Sequence, residues 1–139
     1  MFADILVAVD FSGRHAEALE AAAQLAGQAS GRVTLMHIIE EIPGLAREEE
    51  ADFYARLEEE GLAKLSQLAT RLRGAEIEHA IELRFGHPAR TLLEAIDTLA
   101  PSLLVMSSHA ADPSDPNARW SSVSYAVGMT APCPVLLIK

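Results

Sequence analysis

The chain has 139 residues, the length of one ordinary domain, and a net charge of −9 from 20 acidic and 11 basic side chains. Half of the residues are hydrophobic and 22% are charged, which excludes a disordered chain and a fibrous repeat. The acidic excess repels phosphodiester backbones, so we expect no nucleic-acid partner. No apolar run reaches the roughly 18 residues of a membrane span, and the start lacks the basic segment of a signal peptide. We therefore expect no membrane contact and a cytoplasmic location.

The first half of the sequence alternates predicted strands with predicted helices. The apolar run Ile5 to Val9 indicates a strand buried on both faces. An alanine-rich helix is predicted to open at Ser12 or Gly13 and to end near Ser30. Val33 to Ile39 predicts the second strand, and a long second helix follows, with Gly61 weakening its middle. Its apolar stripe consists of Phe53, Leu57, Leu65, Leu68 and Leu72.

The second half continues the alternation. Apolar residues at every other position from Ile77 to Phe85 predict a third strand, whose polar second face suits a sheet edge. A turn at Gly86-His87-Pro88 leads into a third helix. Leu103 to Met106 and Pro134 to Ile138 predict the last two strands, with a short helix between them. We expect one α/β domain over residues 1–139, with a parallel sheet covered by helices on both faces.

Ligands of such doubly wound folds bind at the carboxyl ends of the strands, where the winding direction reverses. The loops in that position are Asp10 to Arg14, Ile39 to Gly44 and Ser107 to Ser122. Residues 40–60 contain nine acidic side chains and two arginines. We interpret this stretch as the solvated face of a helix, with an acidic docking surface as the alternative.

Five segments together resemble the universal stress protein family. They are ILVAVDFS at 5–12, LMHII at 35–39, GHPARTLLEAI at 86–96, LLVMSSHA at 103–110 and SSVSYAVGMTAPCPVLLIK at 121–139. The resemblance covers the whole chain in order. It implies a five-stranded sheet in the order 3-2-1-4-5, and an ATP site, in the branch that binds ATP, where strands one and four diverge.

The nucleotide motif of that family, Gly-x2-Gly-x9-Gly followed by Ser or Thr, is degenerate here. Ser107, Ala110 and Ser121 align with its three glycines, and ten residues instead of nine separate the last two. Side chains at those positions obstruct the approach of phosphates to backbone N–H groups. The segment also contains Asp112 and Asp115, whose charge opposes a triphosphate, and two prolines, which lack N–H donors. We therefore predict a branch member that does not bind ATP.

Other parts of the implied pocket remain. Asp10 aligns with the aspartate that meets the nucleoside, and Ile38 and Ile39 align with the residues that frame adenine. Ser122 aligns with the hydroxyl of the motif, and Val123 follows it. A nucleoside or smaller ligand therefore stays open, with ATP or AMP as minor candidates. The candidate binding residues are Val9, Asp10, Ser12, Ile38, Ile39, Met106, Ser107, Ala110, Ser121, Ser122 and Val123.

Two starts are open for the short helix before the last strand. Ser121 and Ser122 could cap it and leave free N–H groups for an anion. Alternatively Asp115 caps it, with Pro116 in the first turn, and both serines become ordinary helical residues. We favour the second start.

Other chemistry is less favoured by the sequence. Ser108, His109 and Asp10 contain the residue types of a hydrolase triad, but adjacent Ser and His side chains leave a strand end in different directions. His109 with Asp112 and Asp115 has metal-compatible types in a proline-containing loop, where spacing does not ensure convergence. We expect neither a catalytic nor a metal site. We interpret His37 as a hydrogen-bonded structural residue and Cys133, the only cysteine, as a buried inert thiol.

The last strand, Val135 to Ile138, lies at a sheet edge in the implied strand order. The resemblance implies that such strands pair across a two-fold axis, so we predict a homodimer.

The sequence is compatible with two functions from different classes. The first is a dimeric binding and signalling module of the stress response, without catalysis. The second is an adenine-nucleotide-binding protein with slow ATPase activity.

Overall fold

The computed structural model describes residues 1–11, 15–108, 114 and 123–139. Strands and helices alternate along these residues. In chain order they are β1 (Asp4–Ala8), α1 (His15–Ala29), β2 (Arg32–Glu40), α2 (Ala51–Gly74), β3 (Glu78–Gly86), α3 (Pro88–Leu99), β4 (Leu103–Ser107), α4 (Val123–Thr130) and β5 (Val135–Ile138).

The five strands form one parallel sheet in the order β3-β2-β1-β4-β5. Helices α1 and α2 cover one face of this sheet, and α3 and α4 cover the other. The α/β class, the strand order and the helices on both faces are confirmed. Because the chain winds away from β1 in both directions, the strand order reverses between β1 and β4.

The central strand is buried on both faces, as its continuous apolar run predicts. Ile5 and Val7 pack among the residues of α1 and α2, whereas Leu6 packs against α3 and α4. All three side chains are at most 1% exposed. The sheet edge at β3 differs, since Glu82 and Arg84 lie on its second face and form an ion pair of 3.1 Å. The prediction that this strand is a polar edge is confirmed.

The buried face of α2 differs from the predicted stripe. Tyr54 is 1% exposed, whereas its neighbour Phe53 is only half-buried. Gly61 lies in the buried face, where a Cβ atom would come within 2.7 Å of Leu83 Cδ1. This glycine therefore permits the close approach of α2 to β3. The buried residues of α2 are Tyr54, Gly61, Leu65, Ala69 and Leu72.

The turn into α3 follows the sequence prediction. Gly86 has φ +144°, a conformation that residues with a Cβ rarely adopt. His87 is the N-cap, and its Nδ1 accepts a hydrogen bond of 3.3 Å from the Arg90 N–H. Pro88 occupies the first turn, where its missing N–H costs nothing.

An ion pair on the surface joins α1 to α2. The Arg71 guanidinium donates to both carboxylate oxygens of Glu20, at 2.8 and 2.9 Å. This bidentate contact lowers the pKa of Glu20 below its ordinary value. It links two helices through residues that lie 51 positions apart in sequence.

Several predictions fall on residues outside the described part of the chain. The predicted start of α1 at Ser12 or Gly13 is one of them, and the described helix begins at His15. The choice between Asp115 and the serine pair as the cap of α4 is another. Among the described residues, no helix is long and apolar enough to cross a membrane.

Candidate functional site

The carboxyl ends of β1, β2 and β4 bring together six of the residues predicted to bind a ligand. Val9 follows β1, is 4% exposed and donates a backbone hydrogen bond of 2.8 Å to the Met36 carbonyl of β2. Asp10 comes next and is exposed. The register pairs Ala8 of β1 with Met106 on its other side. The remaining members at this edge are Ile38, Ile39, Met106 and Ser107.

Of the other predicted binding residues, the structure describes one. Val123 is the first described residue of α4 and is 37% exposed. Ser12, Ala110, Ser121 and Ser122 lie outside the described residues. His109, Asp112 and Asp115 also lie outside the described residues. His109 was considered for a hydrolase triad, and all three were considered as metal ligands. Within the described ranges, no group of three or more His, Cys, Asp or Glu side chains could hold a metal ion.

A cleft of about 260 Å³ opens between the end of β2 and the helix α2. Ile38 and Ile39 lie on its β2 side, as the prediction of a ligand-framing pair requires. The helix contributes side chains at spacings of three and four residues, which place them on one helical face. The described residues that line it are Phe11, His37, Ile38, Ile39, Glu40, Leu57, Glu60, Gly61 and Lys64.

Phe11 occupies the end of this cleft in an unusual backbone conformation. Its φ of 60° lies in the left-handed region, which is costly for a bulky side chain. The ring packs against the His37 imidazole, with 4.2 Å between centroids and an angle of 38° between planes. The Lys64 ammonium lies 5.1 Å from the centroid of the same ring, which is the geometry of a cation–π contact. Phe11 thus joins the end of β1 to both β2 and α2.

His37 is held by a hydrogen bond of 2.6 Å between its Nδ1 and the Val9 carbonyl. Because a carbonyl only accepts, Nδ1 carries the proton and Nε2 of the neutral ring is an acceptor. Burial lowers the pKa of His37 below its ordinary value, and nearby Lys64 acts in the same direction. The bond to Val9 and the carboxylate of Asp10 oppose this shift. The prediction of a hydrogen-bonded histidine is confirmed, and the same residue also lines the cleft.

The charged groups around the cleft are mostly acidic. Glu40 and Glu60 line it and are exposed. Neither carboxylate forms an ion pair or a side-chain hydrogen bond with another residue of the described chain. Lys64, the only cation among the lining residues that the structure describes, lies against Phe11. The cleft therefore combines apolar walls with two unpaired carboxylates.

The segment between β2 and α2 is fastened by Tyr54. Its hydroxyl accepts a hydrogen bond of 2.9 Å from the Ile42 N–H and donates to the Leu45 carbonyl. Its ring packs edge-on against Phe85, and the Arg47 guanidinium lies 4.8 Å from the centroid of that second ring. These contacts hold the acidic segment next to the cleft. They also explain why Tyr54, and not Phe53, faces inward, since only the tyrosine can bond this backbone.

The β4 side of the sheet contributes polar groups. The hydroxyls of Ser108 and Ser124 are 2.9 Å apart, which joins the end of β4 to the second residue of α4. Cys133 is half-buried, and burial raises the pKa of its thiol. This shift favours the protonated, less reactive thiol, but the prediction that Cys133 is buried is wrong, because its side chain is partly exposed beside the edge strand β5.

Sequence reasoning missed the α2 side of the cleft. Leu57, Glu60, Gly61 and Lys64 were not among the predicted binding residues, although their spacing of three, four and seven positions marks one helical face. Phe11 was also missed. Its position directly after the strand-end residue Asp10 was the available signal, because such loops line the ligand crevice of this fold.

Comparisons with solved structures agree with this architecture. A universal stress protein family member from Burkholderia pseudomallei is 27% identical, with a TM-score of 0.76, over 99% of this chain and 96% of that one. A universal stress protein from Archaeoglobus fulgidus, solved in complex with dAMP, is 24% identical with a TM-score of 0.73 over 100% of both chains. Another universal stress protein, in complex with cAMP, is 21% identical with a TM-score of 0.68 over 97% and 94%. A search of curated proteins found no match.

The strand order defines a doubly wound α/β protein, and a cleft between β2 and α2 lies at the carboxyl edge of its sheet. The profile of the Universal stress protein family matches residues 1–139. The chain therefore belongs to the universal stress protein family, as the resemblance implied.

Proposed function

We propose that this protein is a cytoplasmic, dimeric binding and signalling module of the stress response, which acts through ligand occupancy or assembly and not through catalysis. We further propose that it does not bind ATP. Two carboxylates at the cleft between β2 and α2, those of Glu40 and Glu60, support it, because neither has an ion-pair partner among the described residues. A triphosphate needs cations or a metal to offset its charge, and Lys64, the one cation among the described lining residues, lies against Phe11.

The observation that carries the proposal is the degenerate nucleotide motif. The substitutions at the three motif glycines, Ser107, Ala110 and Ser121, act in the same direction, because side chains there obstruct close contact between phosphates and backbone.

A second candidate is an adenine-nucleotide-binding protein with slow ATPase activity. Two observations favour nucleotide binding. Structurally similar proteins have been solved with dAMP and with cAMP. In addition, Ile38 and Ile39, which align with adenine-framing residues, line the cleft. A monophosphate carries less charge into this acidic region than ATP does, so AMP is the nucleotide that this candidate favours.

Thermal denaturation separates the two candidates. A ligand at one hundred times its dissociation constant stabilises the native state by about 2.7 kcal/mol, which raises Tm by several degrees. We expect no change in Tm with millimolar ATP and Mg²⁺. A saturable rise with ATP would contradict the first proposal, and a rise with AMP alone would select a nucleotide-binding module. Native mass spectrometry of the purified protein then reports the subunit number and any retained small molecule.

A further inference from the structure

We infer that the cleft between β2 and α2 is a binding site for a small organic cation, namely a primary amine attached to an apolar or aromatic body. The inference rests on the proposed function only in treating the protein as a ligand-binding module. It names a class of ligand that differs from nucleotides in the sign of its charge.

The walls of the cleft can pack against the apolar part of such a ligand. Ile38, Ile39 and Leu57 line it and present apolar side chains to a ligand. The Phe11 ring closes one end and is supported from behind by the His37 imidazole at 4.2 Å. A volume of about 260 Å³ suits one ring or a short aliphatic chain.

The carboxylates at the cleft can pair with the ammonium group of such a ligand. The carboxylates of Glu40 and Glu60 form no ion pair with any residue of the described ranges, so none of those residues neutralises them. Residues 40–60 contain nine acidic side chains and two arginines, and this segment makes the potential around the cleft negative. The neutral His37 adds an acceptor at Nε2, which suits an N–H donor. All three features favour a cation over an anion.

Lys64 indicates where the amine binds. Its ammonium lies 5.1 Å from the centroid of the Phe11 ring, so a primary ammonium group already contacts this ring face. Lys64 is exposed, and it forms no ion pair with Glu60 one helical turn before it. A ligand amine can therefore displace the Lys64 ammonium from the ring and pair with the two carboxylates.

The test compares two probes that share a ring and differ in charge, phenethylamine and phenylacetate. Each is titrated into the full-length protein while amide chemical shifts are followed by NMR. We expect saturable shifts at Phe11, His37, Gly61 and Lys64 with the amine, and binding at least tenfold weaker with the acid. Ethylamine, which lacks the ring, should bind several-fold more weakly than phenethylamine.

Two variants test the roles of the charges. The double variant Glu40→Gln/Glu60→Gln should weaken amine binding by roughly three- to tenfold, the range that two solvent-exposed ion pairs supply. Glu94→Gln/Asp97→Asn makes the same change in net charge on α3, on the opposite face of the sheet, and should leave amine binding unchanged. Lys64→Met should strengthen amine binding, because the ring face is then vacant.

The opposite results would overturn the inference. These are equal or tighter binding of phenylacetate, no saturable shift with phenethylamine at tens of millimolar, or equal losses in the two double variants. Shifts of the same amides by AMP without any by the amine would also overturn it, and would favour the nucleotide candidate. Because a Tm rise with ATP tests the proposed function separately, failure of one can be told from failure of the other.

Discussion

Among single side chains, His37 connects the cleft to the stability of the fold. Its pKa is lowered in the folded state, chiefly by burial, so the folded protein binds a proton there less readily than the unfolded chain does. The stabilisation from the neutral ring is complete above the unfolded pKa of about 6.5. It decreases as the pH falls below that value, and stops decreasing below the lowered folded pKa.

We therefore predict that His37→Gln loses part of the acid sensitivity of the protein. The wild type should lose more stability than the variant between pH 7.5 and pH 5, as measured by urea midpoints at both values. His79→Gln is the matched control, since His79 Nδ1 also bonds a backbone carbonyl, that of Ile77, at 2.8 Å. An unchanged pH dependence in His37→Gln would show that the charge of this ring is not linked to folding.

Gly61 illustrates how one missing side chain determines helix packing. A Cβ at this position meets Leu83 Cδ1 at 2.7 Å, whereas a Cβ at Gly27 of α1 meets nothing within 4 Å. We predict that Gly61→Val destabilises the protein by about 1 to 3 kcal/mol through overpacking. Gly27→Val should change stability by less than about 0.5 kcal/mol. Chemical denaturation measures both, and equal effects would contradict the close approach of α2 to β3.

Among the helices and strands, the connection between β2 and α2 depends on one hydroxyl. Tyr54→Phe keeps the ring but removes the bonds to the Ile42 N–H and the Leu45 carbonyl. We predict a loss of about 1 to 2 kcal/mol in the free energy of unfolding. Hydrogen exchange should accelerate at the Ile42 amide, while amides of α3 serve as the internal reference. Unchanged exchange at Ile42 would contradict the bridging role of Tyr54.

The order and type of the elements could be predicted from the sequence, because each strand and each helix carries its own apolar period. The residues that form the buried face of α2 could not be predicted in this way. An apolar period identifies only the most hydrophobic side chains. It therefore predicted Phe53 instead of Tyr54 on the buried face, and it indicated that Gly61 weakens the helix. The structure uses Tyr54 because its hydroxyl reaches the preceding backbone, and Gly61 because it lacks a side chain.

The candidate site was predictable only in part. Strand ends are local features, so Val9, Asp10, Ile38 and Ile39 could be assigned to the carboxyl edge from the alternation of elements. The α2 wall of the cleft depends on how closely a helix approaches the sheet, which is a property of packing between distant segments. The left-handed backbone of Phe11 likewise has no signature in composition or period.

For the protein as a whole, the dimer that we propose depends on the edge strand β5. The carbonyls of Pro134 and Ile138 accept hydrogen bonds from β4. Because backbone direction alternates along a strand, the N–H of Leu136 also points toward β4, while that of Leu137 points away from it. The outward groups are available to a second copy of the chain, in agreement with the dimer that we propose.

We predict that Leu137→Pro yields a folded monomer, since it removes an outward N–H and keeps the bonds to β4. Leu136→Pro is the matched control and should instead destabilise the fold, because it removes a donor to β4. Light scattering at micromolar concentration gives the mass, and circular dichroism reports folding. A monomeric wild type would contradict the proposed dimer, and a dimeric, folded Leu137→Pro would contradict its location at β5.

The two borders of the sheet are chemically unlike. The β3 border bears the Glu82–Arg84 ion pair, and charged side chains at such a border discourage further strands from adding. If two copies join at β5, both outermost strands of the continuous ten-stranded sheet are β3, so each end of it is charged. The sheet would then stop extending at the dimer. The charged β3 strands at both ends would oppose the addition of further copies, and so the formation of fibres.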